Sequence, residues 1–256
     1  MSVMLTILGS GTSHGVPMIG CDCEVCRSDD PRDRRTRTSA VLSFEGRNVL
    51  VDTGPELRLQ CLACGVTRVD AVLYTHHHAD HVVGLDDIRR FNWLQKAAIP
   101  VFANEKTLQH IRQAFAYAFI DDPDYPSAKP QLECRVIDGP FELFGREVIP
   151  IHYLHGSLPV LGYRIGRVAY CPDCNLMPDA SRALLRDLEV LVLDALRRRP
   201  HPTHFNLEQA VEEARRIGAG RTYFTHIAHE LKHAETEAEL PDRMFLAYDG
   251  LMCAAD

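Results

Sequence analysis

Short apolar runs that end at polar clusters alternate along this chain with longer amphipathic stretches. Residues 3–8 form the first apolar run and read as a strand. Residues 39–44 and 48–51 alternate as two strands joined at Glu45-Gly46-Arg47, a hairpin signal. A helix is expected from Pro55 to about Ala63, with Gly65 as its stop. Next come a buried strand over 71–74, a helix over 84–96, a strand over 99–102, and a helix over 104–119 with Asn104 as N-cap. Residues 121–130 contain three prolines and read as a loop, and Cys134 lies in the strand that follows. The second half repeats the alternation. It has a strand over 147–154, a hairpin of 161–165 and 168–170 around Gly166-Arg167, and a strongly apolar strand over 188–193. Asn206 caps a helix to about Ile217, which Gly218 and Gly220 end, and strands follow over 222–225 and 244–248. Strands and helices alternating in two successive halves point to one α/β domain over 1–256, with helices outside a pair of sheets.

A chain of 256 residues with 46% hydrophobic content and a mean hydropathy of -0.15 has enough apolar material for one sizeable core. No apolar run approaches membrane-spanning length, and the opening residues lack the basic flank and long apolar core of a signal peptide, so a cytoplasmic location is expected. The net charge of -7 speaks against extended, sequence-blind binding to nucleic acid.

The candidate chemistry sits at strand ends. Thr75-His76-His77-His78-Ala79-Asp80-His81 follows the apolar strand over 71–74. His76 and His78 are two apart, so an extended backbone points both to one side, where they can reach one metal ion. Asp80 and His81 come where the chain turns into a helix and are placed for a second metal beside the first. Neutral imidazoles with a carboxylate suit zinc, manganese or iron(II). Other strands deliver His155, Asp173 and His226, and Asp194 ends the apolar strand over 188–193.

Nine cysteines, an odd number, argue against a disulfide framework. Cys21, Cys23 and Cys26 supply three corners of a tetrahedral zinc and leave one for a distant residue. Cys61 and Cys64 fall among leucines on a helix and read as buried thiols, and Cys171 and Cys174 read as reduced neighbours of Asp173. The run Arg32, Arg34, Arg35 and Arg37 reads as a solvated loop, with attraction of a phosphorylated substrate as the second reading. Gly9 to Gly15 reads as a turn lining a pocket and lacks the phosphate-loop pattern.

The ordered set His76-x-His78-x-Asp80-His81, His155, Asp173, His226 resembles the metallo-β-lactamase superfamily. The resemblance spans the whole chain and implies an αββα sandwich with a two-metal site at one edge. Cys21-x-Cys23-x-x-Cys26, Asp52-Thr53-Gly54-Pro55, His201-Pro202-Thr203-His204-Phe205, Thr225-His226-x-x-His229 and Tyr248-Asp249-Gly250 resemble the PhnP-type phosphodiesterases. That resemblance implies His76, His78 and His155 on one active-site metal, Asp80, His81 and His226 on the other, and Asp173 bridging them. It also implies Mn2+ or Zn2+ in that pair, and a structural Zn2+ held by Cys21, Cys23, Cys26 and His229. The implied reaction is phosphodiester hydrolysis by a hydroxide bridging the metals, with Asp80 orienting it and a charged His204 protonating the leaving group. The implied substrate is a small phosphodiester such as a cyclic phosphate, and a second copy of the chain, in a homodimer, is the candidate protein partner. The rival readings are a thioesterase- or lactonase-like hydrolase, a tRNA-processing nuclease, and a non-catalytic metal-binding protein. His201, flanked by prolines, is expected only to shape its loop.

Overall fold

The computed structural model describes residues 2–122 and 127–255, so part of the loop expected over 121–130 lies outside the described residues. In chain order the strands are β1 (Val3–Gly9), β2 (Ser39–Phe44), β3 (Arg47–Val51), β4 (Ala71–Leu73), β5 (Ile99–Ala103), β6 (Leu132–Val136) and β7 (Phe141–Leu143). They continue as β8 (Arg146–His155), β9 (Leu158–Ile165), β10 (Val168–Cys171), β11 (Val190–Asp194), β12 (Arg221–Thr225), β13 (Met244–Leu246) and β14 (Met252–Ala255). The helices are α1 (Leu57–Ala63), α2 (Ala79–Val82), α3 (Ile88–Gln95), α4 (Glu105–Ala114), α5 (Asp179–Ala183), α6 (Leu207–Ile217) and α7 (His233–Glu239).

Among the described residues the strands form two sheets, ordered β14-β1-β2-β3-β4-β5-β6 and β13-β12-β11-β10-β9-β8-β7. Their inner faces meet in a central core that includes Leu5, Leu42, Val49 and Leu73 from one sheet and Val148, Tyr163, Val168 and Val192 from the other. Outside the first sheet, α1, α3 and α4 bury Leu57, Ile88, Phe91 and Leu108 against Leu50, Val72 and Val101. Outside the second, α6 buries Leu207, Ala210, Ala214 and Ile217 against Leu191, Leu193 and Phe224. This is the expected αββα sandwich. Burial on both faces explains why the central strands read as continuous apolar runs such as Val190–Asp194.

Register places the functional ends together. Val51 pairs with Leu73 across the parallel β3–β4 ladder, so Asp52 and the Thr75–His81 turn emerge side by side. In the other sheet Cys171 pairs with Leu193, and Asp194 with Thr225, which brings Asp173, Asp194 and His226 to one edge. Hydrogen bonds tie the sheets at that edge: Leu161 N donates to Thr75 O at 3.0 Å and Tyr163 Oη to Tyr74 O at 2.6 Å.

Caps fall where the sequence signals them. Asn104 accepts from Thr107 N at 2.8 Å, and Asn206 forms a capping box with Gln209, while Gly218 ends α6 at φ 71°. Several expectations needed correction. The helix over 84–96 is a 3-10 turn followed by α3, because Gly84 sits on the backbone of the Asp52–Pro55 turn. The helix over 104–119 stops at Ala114 and continues as a 3-10 turn. Strands β7 and β14 and helices α5 and α7 gave no clear periodic signal, being three to seven residues long.

Gly84 N donates to Thr53 O at 2.9 Å and Thr53 N to His81 O at 2.7 Å, which docks the histidine turn onto Asp52-Thr53-Gly54. A Cβ on Gly84 would lie 2.1 Å from Gly54 O. Gly84→Ala should therefore destabilise the protein by about 1–3 kcal/mol, the usual scale for overpacking. Urea unfolding measures this, and a midpoint equal to that of the parent would show that the turn is not packed as described.

Candidate metal centre

Seven of the expected donors converge where the two sheets meet. The His76, His78 and His155 donor atoms lie within 4.8 Å of one another, as do those of Asp80, His81 and His226. Asp173 reaches both triads, since its donor atom groups with those of His76 and His81 and with those of His155 and His204. Its Oδ2 is 3.3 Å from His81 Nε2 and its Oδ1 is 3.2 Å from His226 Nε2. Asp80 Oδ2 lies 3.5 Å from His81 Nε2 and 3.7 Å from His226 Nε2. Ligands at zinc distances of 2.0–2.1 Å in a tetrahedron are separated by about 3.4 Å, so these spacings match the edges of metal polyhedra.

The far side of three of the rings is held. Asp52 Oδ2 is 2.7 Å from His81 Nδ1, Thr203 O is 2.7 Å from His155 Nδ1, and Thr75 Oγ1 is 3.0 Å from His76 Nδ1. Such partners fix which nitrogen carries the proton and which faces the site. Among the described residues His81 Nε2, His226 Nε2 and Asp173 Oδ2 are buried without a hydrogen bond. Buried polar atoms are rarely left so, and cations would satisfy all three. The donor set therefore fits a pair of divalent ions.

Electrostatics says the same. Burial first, then His81, holds His76 well below the usual imidazole pKa; burial first, then His155, lowers His78. His155 is lowered chiefly by burial. Burial works against charge on His81 and His226 too, but there the carboxylates win. Asp173, Asp80 and Asp52 push His81 well above its ordinary value, and Asp173, Asp80 and Asp194 raise His226. Burial would raise Asp173, yet His226 and His81 hold it well below the carboxylate range. The carboxylates thus favour the charged forms of His81 and His226.

His204 joins the same space. Its ring stacks on His226 at 4.5 Å between centroids, Nδ1 lies 3.2 Å from Asp194 Oδ1, and its donor atom groups with those of His155 and Asp173 within 4.8 Å. Burial first, then His226, pushes its pKa down to about 3. The charged His204 expected from the sequence is thus corrected for the free protein, where the ring is neutral. His201 accepts at Nδ1 from Thr203 N at 3.3 Å, consistent with a loop-shaping role. With His14, Arg197, Arg199 and His204 it also lines a cavity of about 310 Å³.

The second cluster lies behind the first. Cys21 Sγ and Cys23 Sγ are each 3.3 Å from His229 Nδ1, and Cys26 Sγ is 3.8 Å away. Tetrahedral Zn–S and Zn–N distances of 2.3 and 2.0–2.1 Å give an S···N edge of about 3.5 Å, which these separations bracket. Hydrogen bonding from the Cys26 backbone lowers the Cys23 thiol to about 6, toward the thiolate a metal requires, whereas burial raises Cys26 to about 11. The other cysteines are free; Cys171 and Cys174 are fully buried beside Asp173, and burial pushes both thiols up.

Residues 47–227 match the β-lactamase superfamily domain. The structure superposes on the crystal structure of a new diphosphatase from the PhnP family with a TM-score of 0.94 and 46% identity, covering 100% of this chain and 98% of that one. This chain belongs to the metallo-β-lactamase superfamily, and within it to the PhnP family. The PhnP-family chain is also 39% identical over 254 residues to an octanoyltransferase of Porphyromonas gingivalis, covering 98% of this chain and 51% of that protein, so it spans about half its length. Zn2+-bound PqqB of Methylobacterium extorquens shares the fold, with a TM-score of 0.80 and 21% identity over 98% of this chain and 99% of that one. The PhnP-family fold and the donor groups together make this a metallo-hydrolase with candidate metal-binding sites. No helix of the described residues is long and apolar enough to cross a membrane.

Sequence reasoning passed over two carboxylates. Asp52 was seen only as part of a turn and Asp194 only as a strand end, yet both are fully buried behind site imidazoles. An acidic residue closing an apolar strand, as at Leu193-Asp194, was the available signal.

The shifts set the pH response of the metal-free protein. His76, His78, His155 and His204 have folded pKa values below the unfolded one, so their contribution to stability is lost as pH falls below about 6.5. His81 and His226 have folded values above it, so their contribution is full below about 6.5 and is lost as pH rises through the folded values. Thermal melts of chelator-treated protein should show a maximum near that pH. Stability climbing steadily from about pH 5 to about pH 9 would contradict these assignments.

Proposed function

We propose that the protein hydrolyses small phosphodiesters at a pair of divalent metal ions, Mn2+ or Zn2+. The observation that carries this reading is Asp173, whose oxygens lie 3.2–3.3 Å from His81 and His226 of one donor set and whose donor atom also groups within 4.8 Å with His76 and with His155 of the other. His76, His78 and His155 would hold one ion, Asp80, His81 and His226 the other, and Asp173 both. Such a pair supplies an activated water and neutralises charge on the phosphoryl oxygens. A second closed zinc site at Cys21, Cys23, Cys26 and His229 would be structural. The setting proposed is cytoplasmic.

The side chains do the rest. Asp80, beside His81 and His226, would accept a hydrogen bond from the attacking hydroxide and orient it. His204 presents Nε2 to the leaving group while Asp194 holds Nδ1. The ring is neutral in the free protein, and an anionic phosphoryl group against Nε2 favours its charged form, so it becomes a proton donor only with substrate present. A good leaving group dispenses with that proton.

A second reading concerns the bond. The relative at 46% identity is a diphosphatase, so a diphosphate linkage, also cleaved by displacement at phosphorus, is the nearest alternative substrate. The octanoyltransferase relative raises acyl-ester or thioester hydrolysis as a more distant one.

A panel of cyclic phosphates, bis-aryl phosphodiesters, dinucleoside diphosphates, monoesters and thioesters tests the reading. Phosphodiesters should turn over and monoesters hardly at all; thioester cleavage without phosphodiester cleavage would overturn it. His204→Ala should lower turnover of alkyl phosphodiesters by roughly 10²–10⁴-fold, with a smaller loss for nitrophenyl esters. An equal loss for both ester classes would remove the acid role.

A further inference from the structure

The basic run over 32–37 is only in part the solvated loop expected: Arg34 is exposed, while its neighbours are paired or buried. Arg32 pairs with Asp30 and Arg37 with Glu56, and Arg35 is only 1% exposed. Its Nη1 donates to Ala228 O at 3.1 Å, and its Nη2 to Leu231 O at 2.7 Å and to Asp33 Oδ1 at 2.9 Å. Nε donates to Arg32 O at 3.2 Å. Asp33 is buried too and accepts from His233 N at 2.8 Å. The two carbonyls that Arg35 grips bracket His229. The same arc begins at His226, whose φ of 60° is a left-handed backbone rare for histidine. On its other side Ile227 N donates to Ser10 O at 2.9 Å and Thr12 N to Ile227 O at 3.1 Å. Asp249 accepts from the backbone N and hydroxyl of both Ser10 and Thr36, closing the ring of contacts.

A left-handed non-glycine residue persists only where its surroundings over-determine it. The planar guanidinium offers donors in a fixed fork, so it can hold two carbonyls at a set spacing; a lysine ammonium cannot. Arg35 N and O also pair with Val16 O and N at 2.8 Å, beside the loop of the three cysteines.

We propose that Arg35 is a positioning residue: it latches the arc from Ile227 to Leu231 and thereby fixes His226 in one metal centre and His229 in the other. The two centres are then mechanically coupled through the four residues from His226 to His229. This rests on the reading of His226 and His229 as metal donors.

The test compares the parent with Arg35→Lys and with the double variant Asp33→Asn/Arg35→Met, which removes both buried charges together. Amide hydrogen exchange of metal-free protein is read at Ile227 and Ala228 against β2 and β9. Cobalt(II) is then titrated into the same samples, and absorption follows the cysteine and histidine centres separately. The latch predicts exchange of the arc faster by about tenfold or more with the sheets unchanged. It predicts cobalt affinity lower by about 10–100-fold at both centres, and kcat reduced by a similar factor with KM little changed. Exchange that rises equally everywhere, in both variants, would make Arg35 a general core residue and overturn the proposal. Parent-like exchange and cobalt binding would overturn it as well. If the parent cleaves no phosphodiester, exchange and cobalt spectra still decide the latch, since neither depends on the bond hydrolysed.

Discussion

The buried carboxylate of Asp173 sits against the Nε2 atoms of His81 and His226, which have no hydrogen bond of their own, and the rest of the molecule is arranged around that constraint. Asp173 and the Nε2 atoms of His81 and His226 are buried, close together, and short of hydrogen bonds. An uncompensated buried charge is costly, so the site is stable only as a protonated pair or as a metal complex. The depressed His76, His78 and His155 and the elevated His81 and His226 are two responses to this one requirement.

The scaffold meets the requirement by aligning strand ends. Parallel pairing of β3 with β4, of β10 with β11, and of β11 with β12 levels the C-terminal ends of both sheets. The chain then turns sharply: Asp52, Asp173 and His226 all have left-handed φ values, of 62°, 53° and 60°. Each such residue costs of order 1–3 kcal/mol, which the packed sheets and buried partners offset. Strain at these three positions aims Asp173 and His226 into the centre and Asp52 at the back of His81.

The donors were legible in the sequence because each follows an apolar strand, where a polar cluster has little other reason to be ionisable. The spacing of His76 and His78, and of the three cysteines, added a geometric reason. The αββα layering was legible from the repeated alternation. What holds the donors was not. Asp52, Asp194 and Arg35 act through contacts 23 to 196 positions away or through tertiary burial, and nothing local distinguishes Arg35 from the exposed Arg34 beside it. The short strands β7 and β14 are too brief for periodicity and exist because a neighbouring edge pairs with them. The neutral state of His204 is likewise a product of burial, which composition does not encode.

The central claim is that the clustered donors form two centres of different kind, a pair of ions divided by Asp173 and a single ion among three thiolates. Crystals of protein purified without chelator, measured at the manganese and zinc absorption edges, test it directly. The account predicts three anomalous peaks per chain. Two should flank the Asp173 carboxylate, with His76, His78 and His155 on one side and Asp80, His81 and His226 on the other, and the third should lie within the Cys21, Cys23, Cys26 and His229 cluster. Well-ordered crystals with no peak beside Asp173, even after soaking in Mn2+ and Zn2+, would contradict it.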